Sequence, residues 1–210
     1  MYKVIKRAIS RELAEFCYNY FCNKRNVARL FFDAGYISQL NLDWGRWNDQ
    51  QMPETYSHYG DLVMETLLQK IKWRMEMETE LKLNETYSYA RIYKKGDVLE
   101  RHKDKYSCEA SATMNLGGDP WPIFLEPSGK EGKEGKEGKE GEEGLRVLLD
   151  HGDMLIYRGE YEHWREPFEG ENCGQVYLHY NDTSKEEAEE NKYDRRPFLG
   201  LPPWFKGYEL

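Results

Sequence analysis

Arg91-Ile92-Tyr93-Lys94-Lys95-Gly96-Asp97-Val98-Leu99-Glu100-Arg101-His102-Lys103-Asp104 is the stretch on which the reading of this 210-residue chain turns. Its first part continues an alternation that begins at Tyr87 and sets Tyr87, Tyr89, Arg91 and Tyr93 on one face of a strand. Lys95-Gly96-Asp97 has the chemistry of a tight turn. Val98 to Asp104 then reads as the next strand. Residues two apart on a strand share a face, so His102 and Asp104 project together with Lys103 turned away. With His163 downstream they make two imidazoles and one carboxylate, a donor set that caps one face of a divalent iron ion and leaves the other open.

Outward from this stretch the chain continues as short strands. Ala110 to Leu116 is closed by Gly117-Gly118-Asp119-Pro120, and Trp121 to Leu125, Leu145 to Leu149, Met154 to Tyr157 and Gln175 to Tyr180 follow. Upstream, Ser10 reads as the N-cap of a helix carrying Leu13, Phe16, Cys17, Tyr20 and Phe21. A loop is predicted from about Asp33 to Pro53. A second helix is predicted from about Asp61 to Leu81, with Leu62, Glu65, Leu68 and Lys72 on one face and Val63, Leu67, Ile71 and Met75 on another. Helices followed by many short strands predict a mainly β fold with flanking helices, its core a double-stranded β-helix of the jelly-roll, cupin-like kind. The expected organisation is one domain over 1–210: a helical support layer (1–85), a β-core (86–182) and a C-terminal tail (183–210).

Within the core, residues 128–144 repeat glycine every third position, filled by Lys-Glu and finally Glu-Glu. The period is that of a collagen strand, but the segment has no proline and would need two partner chains. A flexible, solvated loop joining two strands is the expectation. Thr183-Ser184 ahead of Glu186 and Glu187 has the pattern of a capping box for a short acidic helix. The apolar, proline-punctuated stretch from Arg196 to Phe205 is expected to dock on the barrel or at a subunit contact.

The 30 Lys and Arg against 38 Asp and Glu leave a net charge of −8, which disfavours nucleic-acid binding. Cys17, Cys22, Cys108 and Cys173 form no CxxC pair and no zinc spacing, so they read as reduced thiols. No apolar run reaches a membrane span, and no signal-peptide pattern follows Met1. Together these predict a cytoplasmic protein without membrane partners. They do not decide its oligomeric state.

The other histidines are rivals for the site. His58 lies in polar sequence and is expected at the surface. His179 shares a face with Gln175 and Tyr177, and either lines a pocket or sits satisfied in the core. His151-Gly152-Asp153 repeats the HxD pattern, but Gly152-Asp153 before Met154 reads better as a turn opening a strand.

Taken together, Arg91 to Asp104, Thr113-Met114-Asn115-Leu116-Gly117-Gly118, Gly152-Asp153-Met154-Leu155-Ile156-Tyr157 and His163 resemble the prolyl-4-hydroxylase-like branch of the iron(II)- and 2-oxoglutarate-dependent dioxygenases. The resemblance runs from Tyr93 to Tyr180. It implies that His102, Asp104 and His163 hold Fe(II), that 2-oxoglutarate is the co-substrate, and that ascorbate is a candidate reductant. It also implies hydroxylation of a C–H bond, with a prolyl residue of a peptide or protein as substrate and a small molecule or nucleotide as the alternative. A non-catalytic cupin-like binding protein is a third reading, against which the intact triad argues.

In one respect the chain departs from the family. Relatives place a Lys or Arg about nine to eleven residues beyond the second histidine, to pair with the far carboxylate of 2-oxoglutarate. Here those positions are Asn172, Cys173 and Gly174. A buried carboxylate still needs a cation or several donors. Arg165 is the first candidate, Arg91 the alternative, and Gln175 a neutral donor. Tyr93 matches a family position whose phenol touches the same carboxylate. Trp121 and Trp164 are read either as aromatic surface for a substrate or as packing at the barrel rim.

Overall fold

The computed structural model describes residues 1–38, 40–127 and 144–207. Residues 128–143 of the Gly-Lys-Glu segment lie outside these. Two antiparallel sheets face each other, as expected of a jelly roll. The larger is built from β1 (Tyr2–Ile5), β2 (Arg46–Asp49), β3 (Met52–Tyr59), β4 (Leu83–Lys94), β6 (Ala110–Gly118), β9 (Met154–Arg158) and β11 (Asn172–Asp182), in the order β1-β9-β6-β11-β4-β3-β2. The smaller holds β5 (Leu99–His102), β7 (Ile123–Glu126), β8 (Leu145–Val147) and β10 (Glu162–Arg165), in the order β5-β10-β7-β8.

Alternation along the long central strands divides the core in two. Ala90 and Ile92 of β4, Ala112, Met114 and Leu116 of β6, and Val176 and Leu178 of β11 face helices α1 (Arg11–Asp33) and α2 (Leu62–Thr79). The intervening residues face the space between the sheets. There Tyr93, Leu99, Trp121, Phe168, Cys173 and Tyr177 form one cluster, and Ile123, Leu125, Leu155, Tyr157 and Tyr161 another. Helix α1 lies close on the sheet because Gly117 and Gly174 leave room for Tyr18. A Cβ on either would come within 2.7 Å or 2.4 Å of that ring.

Several predicted elements are corrected. The expected loop from Asp33 to Pro53 contains the rest of α1's terminus, all of β2 and the start of β3. The supposedly helical layer over 1–85 thus also lends three strands to the larger sheet. Ser10 does cap α1, its Oγ accepting from Leu13 N at 3.2 Å. In α2 the two predicted faces do not separate: Glu65 and Leu68 are buried with Leu67, Ile71 and Met75. The helix is covered on a second side by the tail, where Arg196 pairs with Glu65 at 2.8 Å and both side chains are almost fully buried. The tail therefore docks through an ion pair, while Phe198 and Trp204 stay exposed. No capping box forms at Thr183-Ser184. Asp182 Oδ1 accepts from Ser184 N instead, and the four-residue helix α3 (Ala188–Asn191) begins later without a side-chain cap. Among the described residues no helix is long and apolar enough to cross a membrane.

Candidate metal centre

Strand β5 ends at His102, two residues short of the prediction, and pairs antiparallel with β10 so that His102 and His163 are direct partners. Their ring centroids are 4.2 Å apart. Asp104 follows in a loop rather than on the strand, and its backbone N–H donates to the Gly159 carbonyl at 2.8 Å. Gly159 leaves no space for a side chain: a Cβ would stand 2.1 Å from the Cys108 carbonyl oxygen and 3.1 Å from Asp104 Cβ. The carboxylate is therefore aimed by a close backbone approach instead of by strand alternation.

The donor atoms of His102, Asp104 and His163 all lie within 4.8 Å of one another, with His163 Nε2 3.6 Å from Asp104 Oδ1. Nδ1 of His102 lies 2.7 Å from the Glu100 carbonyl, and Nδ1 of His163 3.0 Å from the Tyr161 carbonyl. A carbonyl can only accept, so each Nδ1 carries the proton and each Nε2 keeps its lone pair for a metal. Burial lowers the pKa of His163 to about 4, with Asp104 opposing the shift and His102 adding to it. At neutral pH no proton competes for that nitrogen. Ser111 Oγ donates to Asp104 Oδ2 at 2.7 Å and lies 3.0 Å from Nδ1 of His179, which holds the carboxylate by its second oxygen. Two imidazoles and a carboxylate, oriented and open on one side, fit a ferrous ion.

The triad opens on a cavity of about 410 Å³ between the sheets. Opposite the triad stand Tyr87, Tyr89, Arg91 and Tyr93 on one face of β4, as the sequence indicated, with Tyr177 and His179 from β11. His179 thus lines the cavity and rests its ring against Tyr87 at 4.6 Å. His151-Gly152-Asp153 is a turn, with Gly152 at φ +86° and His151 Nε2 3.1 Å from the Gly118 carbonyl, away from the triad. His58 is buried, against expectation, with Nδ1 3.2 Å from Asp61. Trp121 packs on Tyr93 and Phe168 in the core, and Trp164 stacks on Phe124. Neither tryptophan lines the cavity.

The candidate anchors differ in their partners. Arg91 Nη2 donates to Asp49 Oδ2 at 2.7 Å and Nη1 to Gln51 Oε1 at 3.1 Å, so its charge is met by a carboxylate. Arg165 is equally buried but contacts only neutral acceptors. It donates to the Trp121 carbonyl and, at 3.3 Å, to Gln175 Oε1, while its Nε has no partner. Among the described residues no carboxylate pairs with it. Its guanidinium lies 5.0 Å from the Trp121 ring, which packs edge-on against Tyr93 at 4.6 Å. Tyr93 in turn lies 2.6 Å from the Tyr177 hydroxyl, and burial keeps its phenol protonated. Cys173, one of the three positions over which the resemblance leads to the expectation of a cation, faces this same layer. The sequence did not point to Ser111, Gly159, Asp49 or Gln51. The strand-like run Thr55-Tyr56-Ser57-His58-Tyr59 was a readable sign that this region belongs to the sheet.

No family model and no curated protein matches the sequence. Solved structures do match. A prolyl-4-hydroxylase of Pseudomonas putida aligns at TM-score 0.58 and 11% identity, over 86% of this chain and 92% of its own. The collagen prolyl hydroxylase of Paramecium Bursaria Chlorella virus-1, in complex with 2-oxoglutarate, aligns at 0.55 and 11%, over 87% and 96%. HygX of Streptomyces hygroscopicus, with nickel, 2-oxoglutarate and hygromycin B bound, aligns at 0.57 and 14%, over 87% and 83%. At these identities the likeness is one of fold, the jelly roll that this chain shares with these three structures.

Proposed function

We propose that this chain is an iron(II)- and 2-oxoglutarate-dependent oxygenase that hydroxylates a C–H bond, with a prolyl residue in a peptide or protein as its substrate. The convergence of two unprotonated imidazole Nε2 atoms and one carboxylate oxygen on an open cavity is the observation that carries this reading. When bound, the iron with 2-oxoglutarate and O2 supplies the oxidising power, and 2-oxoglutarate leaves as succinate and CO2. His102, Asp104 and His163 hold the metal. Arg165 is not among the residues lining the cavity but packs on Trp121 against Tyr93, which is; it offers a buried positive charge for the distal carboxylate, and Tyr93 a phenol. A buried cation lacking a counter-ion costs several kcal/mol, about the deficit that a ligand carboxylate would relieve. Arg91 has already met that need with Asp49, so it is the weaker candidate. Gln175 serves as a neutral brace, since its Oε1 accepts from both Thr113 and Arg165.

The prolyl assignment rests on the sequence resemblance and on the two prolyl hydroxylases among the similar folds. A small-molecule substrate is the second reading, favoured by the C-terminal segment, whose Asp194 and Pro203 line the cavity together with Leu42 and Arg46. Purified protein reconstituted anaerobically with Fe(II) and given 2-oxoglutarate and O2 is expected to release succinate, and His163→Ala to release none. Unchanged succinate output in that variant would refute the ligand set. A proline-rich peptide that gains one oxygen atom by mass spectrometry supports the prolyl reading. Succinate release without any modified peptide supports the small-molecule one.

A further inference from the structure

Asp49 carries more cationic partners than one carboxylate can neutralise. Its Oδ2 accepts from Arg91 Nη2 at 2.7 Å, from Arg46 Nη2 at 3.4 Å and from the Tyr89 hydroxyl. Two guanidiniums on one carboxylate leave a net positive charge at the cavity wall. Arg91 is 1% exposed, and its Nε is buried without a partner. Arg46 is half-buried, with its side chain 38% exposed, so it is the member a ligand can reach from solvent. Lys103 and Lys105 also line this cavity, and neither forms an ion pair among the described residues. Among the described residues, and apart from Asp104 of the triad, the carboxylates lining the cavity are Asp49 and Asp194. A chain of net charge −8 has thus gathered four cations against two carboxylates around the mouth of its site. Such a local surplus attracts anions and raises their encounter rate.

Distance ties this surplus to the metal. Gln51 accepts from Arg91 Nη1 at 3.1 Å, and its Nε2 lies 3.4 Å from His102 Nε2. One amide side chain therefore separates the guanidinium from a metal-ligating atom. The rings of Tyr59 and Tyr87, stacked at 4.9 Å, provide apolar surface on the same cavity. We propose that Arg46 and Arg91 together recognise an anionic group of the substrate, a carboxylate or a phosphate, and hold it so that a neighbouring C–H faces the metal. This rests on the oxygenase reading above and narrows its substrate to an acid. Planar, bidentate donors such as guanidinium are suited to both oxyanions.

The test is calorimetric titration of the full chain, loaded with Ni(II) and saturating 2-oxoglutarate, using benzoate, phenyl phosphate and neutral benzamide as probes. At least one anion is expected to bind about tenfold or more tightly than benzamide, and the ratio of benzoate to phenyl phosphate identifies the preferred oxyanion. Arg46→Ala is expected to weaken the anion about tenfold while leaving benzamide and 2-oxoglutarate unchanged, and Arg46→Lys to recover part of the loss. Asp49→Asn, which removes the competing carboxylate, is expected to tighten anion binding. Parity of benzoate and phenyl phosphate with benzamide overturns the proposal, as does anion binding indifferent to Arg46→Ala or not tightened by Asp49→Asn in protein of native circular dichroism. Titrations of metal-free protein separate the two ideas. Arg46-dependent anion binding in a chain that takes up no metal or 2-oxoglutarate sinks the oxygenase reading alone. Normal 2-oxoglutarate uptake without anion preference sinks this one alone.

Discussion

At the scale of single residues, the candidate metal ligands are aimed by neighbours outside the triad. Ser111 is buried on β6 and fixes one oxygen of Asp104, leaving the other for coordination. Ser111→Ala is expected to weaken Ni(II) or Fe(II) binding about tenfold, the usual effect of losing a partner that orients a ligand, with little change in unfolding free energy. Gly159→Ala is expected to cost more. The new methyl group meets backbone at Cys108 that cannot rotate away, so the Asp104 loop must shift, at about 1–3 kcal/mol of stability. Isothermal titration of both variants ranks them, and metal affinity in Gly159→Ala equal to wild type would show that the loop is not positioned there. Arg165→Met separates anchoring from packing. Removing a buried charge with no counter-ion is expected to leave the melting temperature of ligand-free protein level or raised, while 2-oxoglutarate affinity falls about 100-fold. A variant that keeps its 2-oxoglutarate affinity would return the role to Arg91.

Among the elements, Asp61 joins three. It caps α2 by accepting from Val63 N at 3.0 Å and Met64 N at 3.2 Å, takes Tyr20 and Lys24 from α1 at 2.8 Å and 2.7 Å, and meets His58 from β3. Burial alone would raise its carboxyl, but His58 and Lys24 outweigh burial and hold the pKa below the ordinary carboxylate range. His58 is lowered chiefly by burial, against the pull of Asp61. Both folded pKa values lie below their unfolded ones, so the unfolded chain takes up protons first and stability falls as pH falls. Urea unfolding is expected to show, from these two groups, a decline starting near the unfolded histidine value of about 6.5 and a steeper one below about 4. His58→Gln is expected to make the first decline shallower, leaving the share that His163 contributes through its own lowered pKa, and Asp61→Ala to cost about 2–4 kcal/mol at pH 7. An unaltered profile between pH 7 and 5 in His58→Gln would mean that the imidazole is already charged in the fold. What the sequence conveyed at this scale follows the same physics. Alternation was legible along β4 and β11 because both faces are covered by unlike layers, polar toward the cavity and apolar toward the helices. β10 and β2 are each only four residues long, so periodicity had too little length to register, whereas the run Thr55 to Tyr59 of β3 was readable. His58 was misplaced because its partner Asp61 neutralises the polar look of the segment only after folding. The triad was legible because its three residues are chemically unmistakable, but its supports, Ser111 and Gly159, became visible only through tertiary contact.

For the whole molecule, the triad draws on the smaller sheet and the loop after β5, while its supports come from β6 in the larger sheet and from Gly159 just beyond β9. A bound ion would therefore tie the two sheets together at the open end of the cavity. It binds the folded chain, in which three donors converge, and not an unfolded chain in which 61 positions separate His102 from His163. By linkage, free metal at about 100 times its dissociation constant adds about 2.7 kcal/mol to unfolding. For a chain of this length that corresponds to roughly 5–10 °C in melting temperature, at about 2–4 °C per kcal/mol. Ni(II) serves as the probe, since it is redox-stable in air. Wild-type protein is expected to show this shift and His163→Ala or Asp104→Ala to show almost none. Ser111→Ala, binding about tenfold more weakly, is expected to lose about 1.4 kcal/mol of it at the same metal concentration. The graded series matters because non-specific binding to exposed carboxylates would stabilise all four proteins alike. An equal shift in Asp104→Ala would remove the metal from the cavity, and with it the oxygenase chemistry assigned to this chain.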